Sequence, residues 1–207
     1  LAHSAPQREF LLYDRPSQLC LDCHDGSSGR NMLPVVDQRY GHRINPFFDH
    51  PRRPEDRLRV SRTVDCTDCH NPHAVNAAPG SPSIVSGRLK GVTSVTMLGA
   101  VSPGPTFEYE VCFKCHGLVE PITTEIARND ATRDIRLRSE PTNLSFHPIA
   151  AIGRNNGTGL QAGLQPGYST SSLITCTSCH NNNDVALAGT APVGPHGSLY
   201  EPILERE

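Results

Sequence analysis

The chain has 207 residues, a formal net charge of −2, 36% hydrophobic residues, no Trp, and as many as 17 Gly and 18 Pro. That length suits one domain or two, but so few apolar side chains among so many turn formers exclude a large aliphatic core. The near balance of 19 Lys and Arg against 21 Asp and Glu does not point to a nucleic-acid partner, and no apolar run reaches transmembrane length.

In chain order, residues 1–19 read as an N-terminal arm with an apolar knot at Phe10-Leu-Leu-Tyr13. Its opening, Leu-Ala-His-Ser-Ala-Pro, has neither a basic n-region nor an apolar h-region, so we read the chain as already processed after export. Residues 83–98, β-branched and broken by Gly, are the best strand or hairpin segment. Residues 122–138 carry Ile122, Ile126, Ile135 and Leu137 at partly helical spacing. Residues 153–172, rich in Gly, Asn, Gln and Ser, read as a long surface loop.

The eight cysteines decide the chemistry. All fall in four C-x-x-C-H motifs: Cys20, Cys23, His24; Cys66, Cys69, His70; Cys112, Cys115, His116; and Cys176, Cys179, His180. Two thiols at this spacing reach the two vinyl groups of one porphyrin, and the adjacent His is held beneath the iron as its proximal ligand. Zinc ribbons, thioredoxin-like sites and disulfide frameworks also use paired cysteines. With ten His in 207 residues, a His after all four pairs by chance has a probability on the order of one in a hundred thousand. The expected cofactor is therefore four haem c groups. The expected fold is a single, mostly irregular and loop-rich tetrahaem domain over 1–207, with short helices carrying the motifs, few strands, and the haem stack as core. Haem is joined to reduced thiols after export, so the expected location is periplasmic or extracellular.

Six histidines remain: His3, His42, His50, His73, His147 and His196. Four irons each need a sixth ligand or an open position, and only Met32 and Met97 offer a thioether. Histidine is the expected source, giving bis-histidine irons. Asn-Pro-His73, Phe-His147-Pro and Gly-Pro-His196-Gly-Ser have backbones fixed or freed by Pro and Gly so that a loop can present an imidazole. His42 joins them as a distal ligand, while His50 and His3 are further distal or inter-subunit candidates. Residues as close as His70 and His73 cannot take opposite faces of one porphyrin, so His73 should serve a neighbouring haem.

Motif starts at 20, 66, 112 and 176 show no clean repeat between them. Four haems would add eight propionates. Of the 17 Arg, the cluster Arg52, Arg53, Arg57, Arg59 and Arg62 is the best candidate to grip them in bidentate fashion; the bland alternative is a set of solvated side chains.

The succession Cys-Leu-Asp-Cys-His-Asp-Gly, Gly-His42-Arg, Cys-Thr-Asp-Cys-His-Asn-Pro-His73, Tyr-Glu-Val-Cys-Phe-Lys-Cys-His-Gly, Ser-Phe-His147-Pro, Cys-Thr-Ser-Cys-His-Asn and Gly-Pro-His196-Gly-Ser resembles the tetrahaem outer-surface cytochromes of metal-reducing microbes over residues 20–200. Members of that branch polymerise into extracellular cytochrome nanowires in which a neighbouring subunit supplies one axial histidine. The resemblance implies distal roles for His42, His73, His147 and His196, with the extra His50 or His3 as the ligand donated across the junction; a donor must lie in a segment free to reach outward, which adds the Pro-rich loop of His42 and His50 to the arm of His3. It also implies a homopolymer whose partners are other cytochromes or extracellular acceptors. The expected function is electron conduction by a filament, not enzymatic turnover. A discrete electron shuttle is the alternative, and a multihaem reductase would need one open iron.

Overall fold

The structure is a computed structural model and describes residues 14, 16–42, 44, 64–117, 134–155, 157–183 and 193–206. The expectations at Phe10-Leu-Leu-Tyr13, His3, His50, residues 122–133 and the Arg52–Arg62 cluster lie outside them. Described helices are short: α1 (Pro16–Leu21), α2 (Leu33–Val36), α3 (Cys66–Cys69), α4 (Glu108–His116), α5 (Ile135–Ser139) and α6 (Thr158–Gly163). Four two-residue strands, β1 (Tyr40–Gly41), β2 (Ser94–Val95), β3 (Val101–Ser102) and β4 (Gly197–Ser198), form two antiparallel ladders. Loops make up most of the rest. Among the described residues no helix is long and apolar enough to cross a membrane.

The chain divides into two compact units, one of Leu1–Cys69 with Thr177–Glu207 and the other of His70–Cys176. In the first, a buried polar knot joins α1 to α3. Ser17 Oγ donates to Asp65 Oδ2 at 2.6 Å, Thr67 N donates to Asp65 Oδ1 at 3.2 Å, and Asp65 N donates back to Asp68 Oδ2 at 2.9 Å. The last two bonds are a reciprocal N-terminal cap, which is why a four-residue helix forms on the sequence Asp-Cys-Thr-Asp-Cys. The same unit pairs β1 with β4, Tyr40 facing Ser198 and Gly41 facing Gly197. Glycine is required at 197 because a Cβ there would collide with the Val35 carbonyl oxygen.

The second unit is built on α4. Glu110 Oε2 accepts from Thr106 N at 2.6 Å and Phe107 N at 3.2 Å, satisfying amides at the helix start. Tyr109 and Phe113, one turn apart, bury against Ile149, with ring centroids 5.2 Å apart. Val95, Met97, Phe107, Ile135 and Ile174 pack around them.

Two local expectations are revised and one holds over its described part. Within 83–98 only Ser94 and Val95 are strand in a ladder, and they pair with Val101 and Ser102 beyond the predicted end. Residues 87–89 instead form a 3-10 turn, after which Gly91 takes φ +76°, a conformation that ends an extended run. The helical segment shows its described part as α5, started by Asp134, whose carboxylate accepts from Arg136 N at 3.0 Å. The loop at 153–172 contains α6, an exposed helix with no buried residue.

Seven hydrophobic side chains are buried among the described residues, whereas twelve large ones are exposed, Leu98 and Leu144 at 92% each. Among the described residues the hydrophobic core is therefore small.

Candidate haem-attachment and axial-histidine sites

Each motif is helical or nearly so, which sets its two sulfurs and its imidazole on one turn. Cys20 ends in α1, and His24 N donates to Cys20 O at 2.9 Å, extending the coil through the motif. The second motif begins with α3, the third closes α4 at His116, and the fourth opens on a 3-10 turn at Cys176–Ser178. All eight cysteines are free thiols, so the structure contains no disulfide framework. Among the described residues no three His, Cys, Asp or Glu side chains converge as a zinc site would require. A bis-histidine haem iron asks for only two protein ligands and does not need such a cluster.

The cysteines of the first and second motifs lie in one unit. The Cys66 thiol donates to the Cys20 sulfur, which pushes Cys66 up, reinforced by burial, and pulls Cys20 down. The α1–α3 knot therefore brings the leading sulfurs of two motifs together.

Four of the imidazoles share one device. His24 Nδ1 donates to the Arg30 carbonyl at 3.3 Å, His70 Nδ1 to Arg88 at 2.8 Å, His180 Nδ1 to Pro202 at 3.1 Å, and His42 Nδ1 to Pro195 at 2.9 Å. A carbonyl can only accept, so in each neutral ring Nδ1 carries the proton and Nε2 the lone pair. That tautomer is the one a metal takes at Nε2, and the carbonyl fixes the direction in which it is offered. Burial also lowers the proton affinity of His42, partly offset by its bond to Pro195, so it is neutral near pH 7.

Glycines leave room beside two rings. A Cβ at Gly29 would sit 2.9 Å from His24 Nδ1, and one at Gly194, where φ is +130°, would sit 2.9 Å from His196 Cε1. His73 N donates to Asn71 Oδ1 at 3.0 Å in an Asx turn, and Asn71 Nδ2 reaches Gly91 O at 2.8 Å, so the exposed His73 sits on a pinned loop. His147 is exposed two residues before buried Ile149, with Ile149 N donating to His147 O at 2.8 Å. Met97 packs into the Tyr109 cluster and Met32 precedes α2. The donor set fits haem: helical Cys-x-x-Cys-His turns, and rings held in the Nε2-basic form.

Two features were not anticipated. One is the set of carbonyls that orient the rings; Arg30, Arg88, Pro195 and Pro202 accept through the backbone and so leave no side-chain signature. The other is the C-terminal strap 193–206. Asn181 Oδ1 accepts from Gly194 N at 2.7 Å, Asn183 Oδ1 accepts from Leu199 N at 3.0 Å, and Asn181 Nδ2 donates to Glu205 at 3.0 Å. The run Asn181-Asn182-Asn183, buried directly after His180, is the signal that could have located the strap's anchor.

Comparison with protein-family models, with curated proteins and with solved structures finds no match to this chain.

Proposed function

We propose that the chain holds four haem c groups at its four Cys-x-x-Cys-His turns, each iron between two imidazoles, and that it passes electrons along them without transforming a substrate. One observation carries this reading: four histidines in three different motifs and one loop donate Nδ1 to backbone carbonyls and so keep Nε2 as the ligating nitrogen. Bound there, the haems supply reversible one-electron chemistry and the missing core surface. The chain's own residues attach them, orient the axial rings and shield the porphyrin faces. The sequence resemblance supports the assembled form, an extracellular filament in which haems run from subunit to subunit.

Production in a host that attaches haem c tests the first part. Four haems per chain by pyridine haemochrome, all low-spin by electron paramagnetic resonance and unchanged by carbon monoxide or nitrite, is the expected result. Fewer covalent haems would overturn it, and a carbon monoxide-binding iron would favour a reductase. Negative-stain images of native material test the second part, with filaments expected and discrete particles favouring a shuttle.

A further inference from the structure

From the strap that holds both rings, we propose that His42 and His180 are the two axial ligands of a single iron, that of the haem attached at Cys176 and Cys179. This rests on the haem reading above and names the partner of one proximal histidine, which spacing alone leaves open.

The argument begins at the strap. Pro195 O receives the Nδ1 proton of His42 at 2.9 Å, and Pro202 O receives that of His180 at 3.1 Å. The two acceptors belong to one short segment that is folded back on itself, since Ser198 Oγ donates to the Leu204 carbonyl and Tyr200 bridges to Leu204. One end of the strap is paired with β1, immediately before His42, and the other bridges His180 itself through Leu204. A single rigid element therefore sets the direction of both rings, and both are held as the tautomer whose Nε2 ligates.

His196 lies in the turn before β4, its N–H donating to the Gly194 carbonyl at 2.9 Å, while the strap carbonyls of Pro195 and Pro202 go to His42 and His180.

Counting high-spin irons in variants tests the pairing. His42→Ala should hold four haems, one of them high-spin, and exogenous imidazole should return that iron to low spin. His180→Ala either keeps its haem with one high-spin iron or fails to attach it, and in both cases adding His42→Ala should produce no further high-spin iron. An additional high-spin iron in the double variant would show that His42 serves another haem. If His42→Ala does not fold, His42→Met provides the readout: a Met–iron charge-transfer band that disappears with His180→Ala supports the pairing, and one that persists overturns it. A wild-type chain without four covalent haems would sink the haem reading instead, so the two failures are distinct.

Discussion

His42 and Pro195 lie 153 residues apart in the chain, yet the imidazole Nδ1 donates to the proline carbonyl at 2.9 Å. The bond ties the orientation of a ring near the N-terminal end to a strap near the C-terminal end. The β1–β4 ladder beside it makes that strap a structural element and not a loose tail, because Gly41 and Gly197 approach at backbone contact.

A first prediction follows from Gly197. Gly197→Ala places a Cβ on the Val35 carbonyl oxygen, so either the ladder or α2 must shift. Overpacking of this kind costs about 1–3 kcal/mol, and the shift should disturb His42 and His196 together. The expected result is a lower melting temperature with a new high-spin signal. Gly104→Ala, where a Cβ meets nothing within 4 Å, should stay within about 0.5 kcal/mol of the parent and keep every iron low-spin.

A second concerns the only hydrophobic cluster found among the described residues, Tyr109, Phe113 and Ile149. Phe113 is 2% exposed and lies inside the third motif, so Phe113→Ala should cost about 3–5 kcal/mol by the cavity it leaves. Urea unfolding followed by circular dichroism measures this, with haem content checked first. Leu98→Ala, at a side chain 92% exposed, is the control and should change stability by less than about 0.5 kcal/mol. Equal losses in the two variants would mean that the cluster is not the protein's own core.

What the sequence revealed and what it hid divide along physical lines. The Cys-x-x-Cys-His turns were legible because their spacing is fixed in the sequence, and the structure puts each of them on a helix or a tight turn. The loop-rich character was legible from Gly and Pro. Hidden were the contacts that close over long separations: β1 and β4 are only two residues each, too short to leave an alternating pattern, and Tyr40 meets Ser198 only in three dimensions. The hairpin was misplaced toward 83–98 because Ile84 and Val85 carry β propensity, whereas Gly87 cannot bear a side chain against Asn76 and lies in a 3-10 turn.

A third prediction tests the α1–α3 knot. Asp65 accepts from the Ser17 hydroxyl at 2.6 Å and from Thr67 N at 3.2 Å in a buried setting. Asp65→Ala strands the Ser17 donor and uncaps α3, for an expected loss of about 1–3 kcal/mol. Ser17→Ala should cost less, about 1 kcal/mol, and the double variant should lose less than the sum because the two changes remove one shared bond. Additive losses in thermal unfolding would show that the Ser17–Asp65 bond contributes nothing of its own.

The last prediction concerns assembly. If subunits join by donating one axial histidine across their junction, the donor must be able to leave its own chain, and His3, His42 and His50 were the sequence candidates. The bond from His42 to Pro195 and the adjoining ladder commit its ring to its own subunit, which leaves His3 and His50. Ligand exchange between subunits ties assembly to metal binding, so removing the donor should cost both at once. His3→Ala or His50→Ala, whichever removes the donor, should yield monomers that each carry one high-spin haem, and added imidazole should restore low spin without restoring filaments. His42→Ala should also produce one high-spin haem, but with filament length unchanged in negative stain. Short filaments in His42→Ala, with full-length ones in both other variants, would return the junction to His42 and break the link between its Pro195 bond and its role within the subunit.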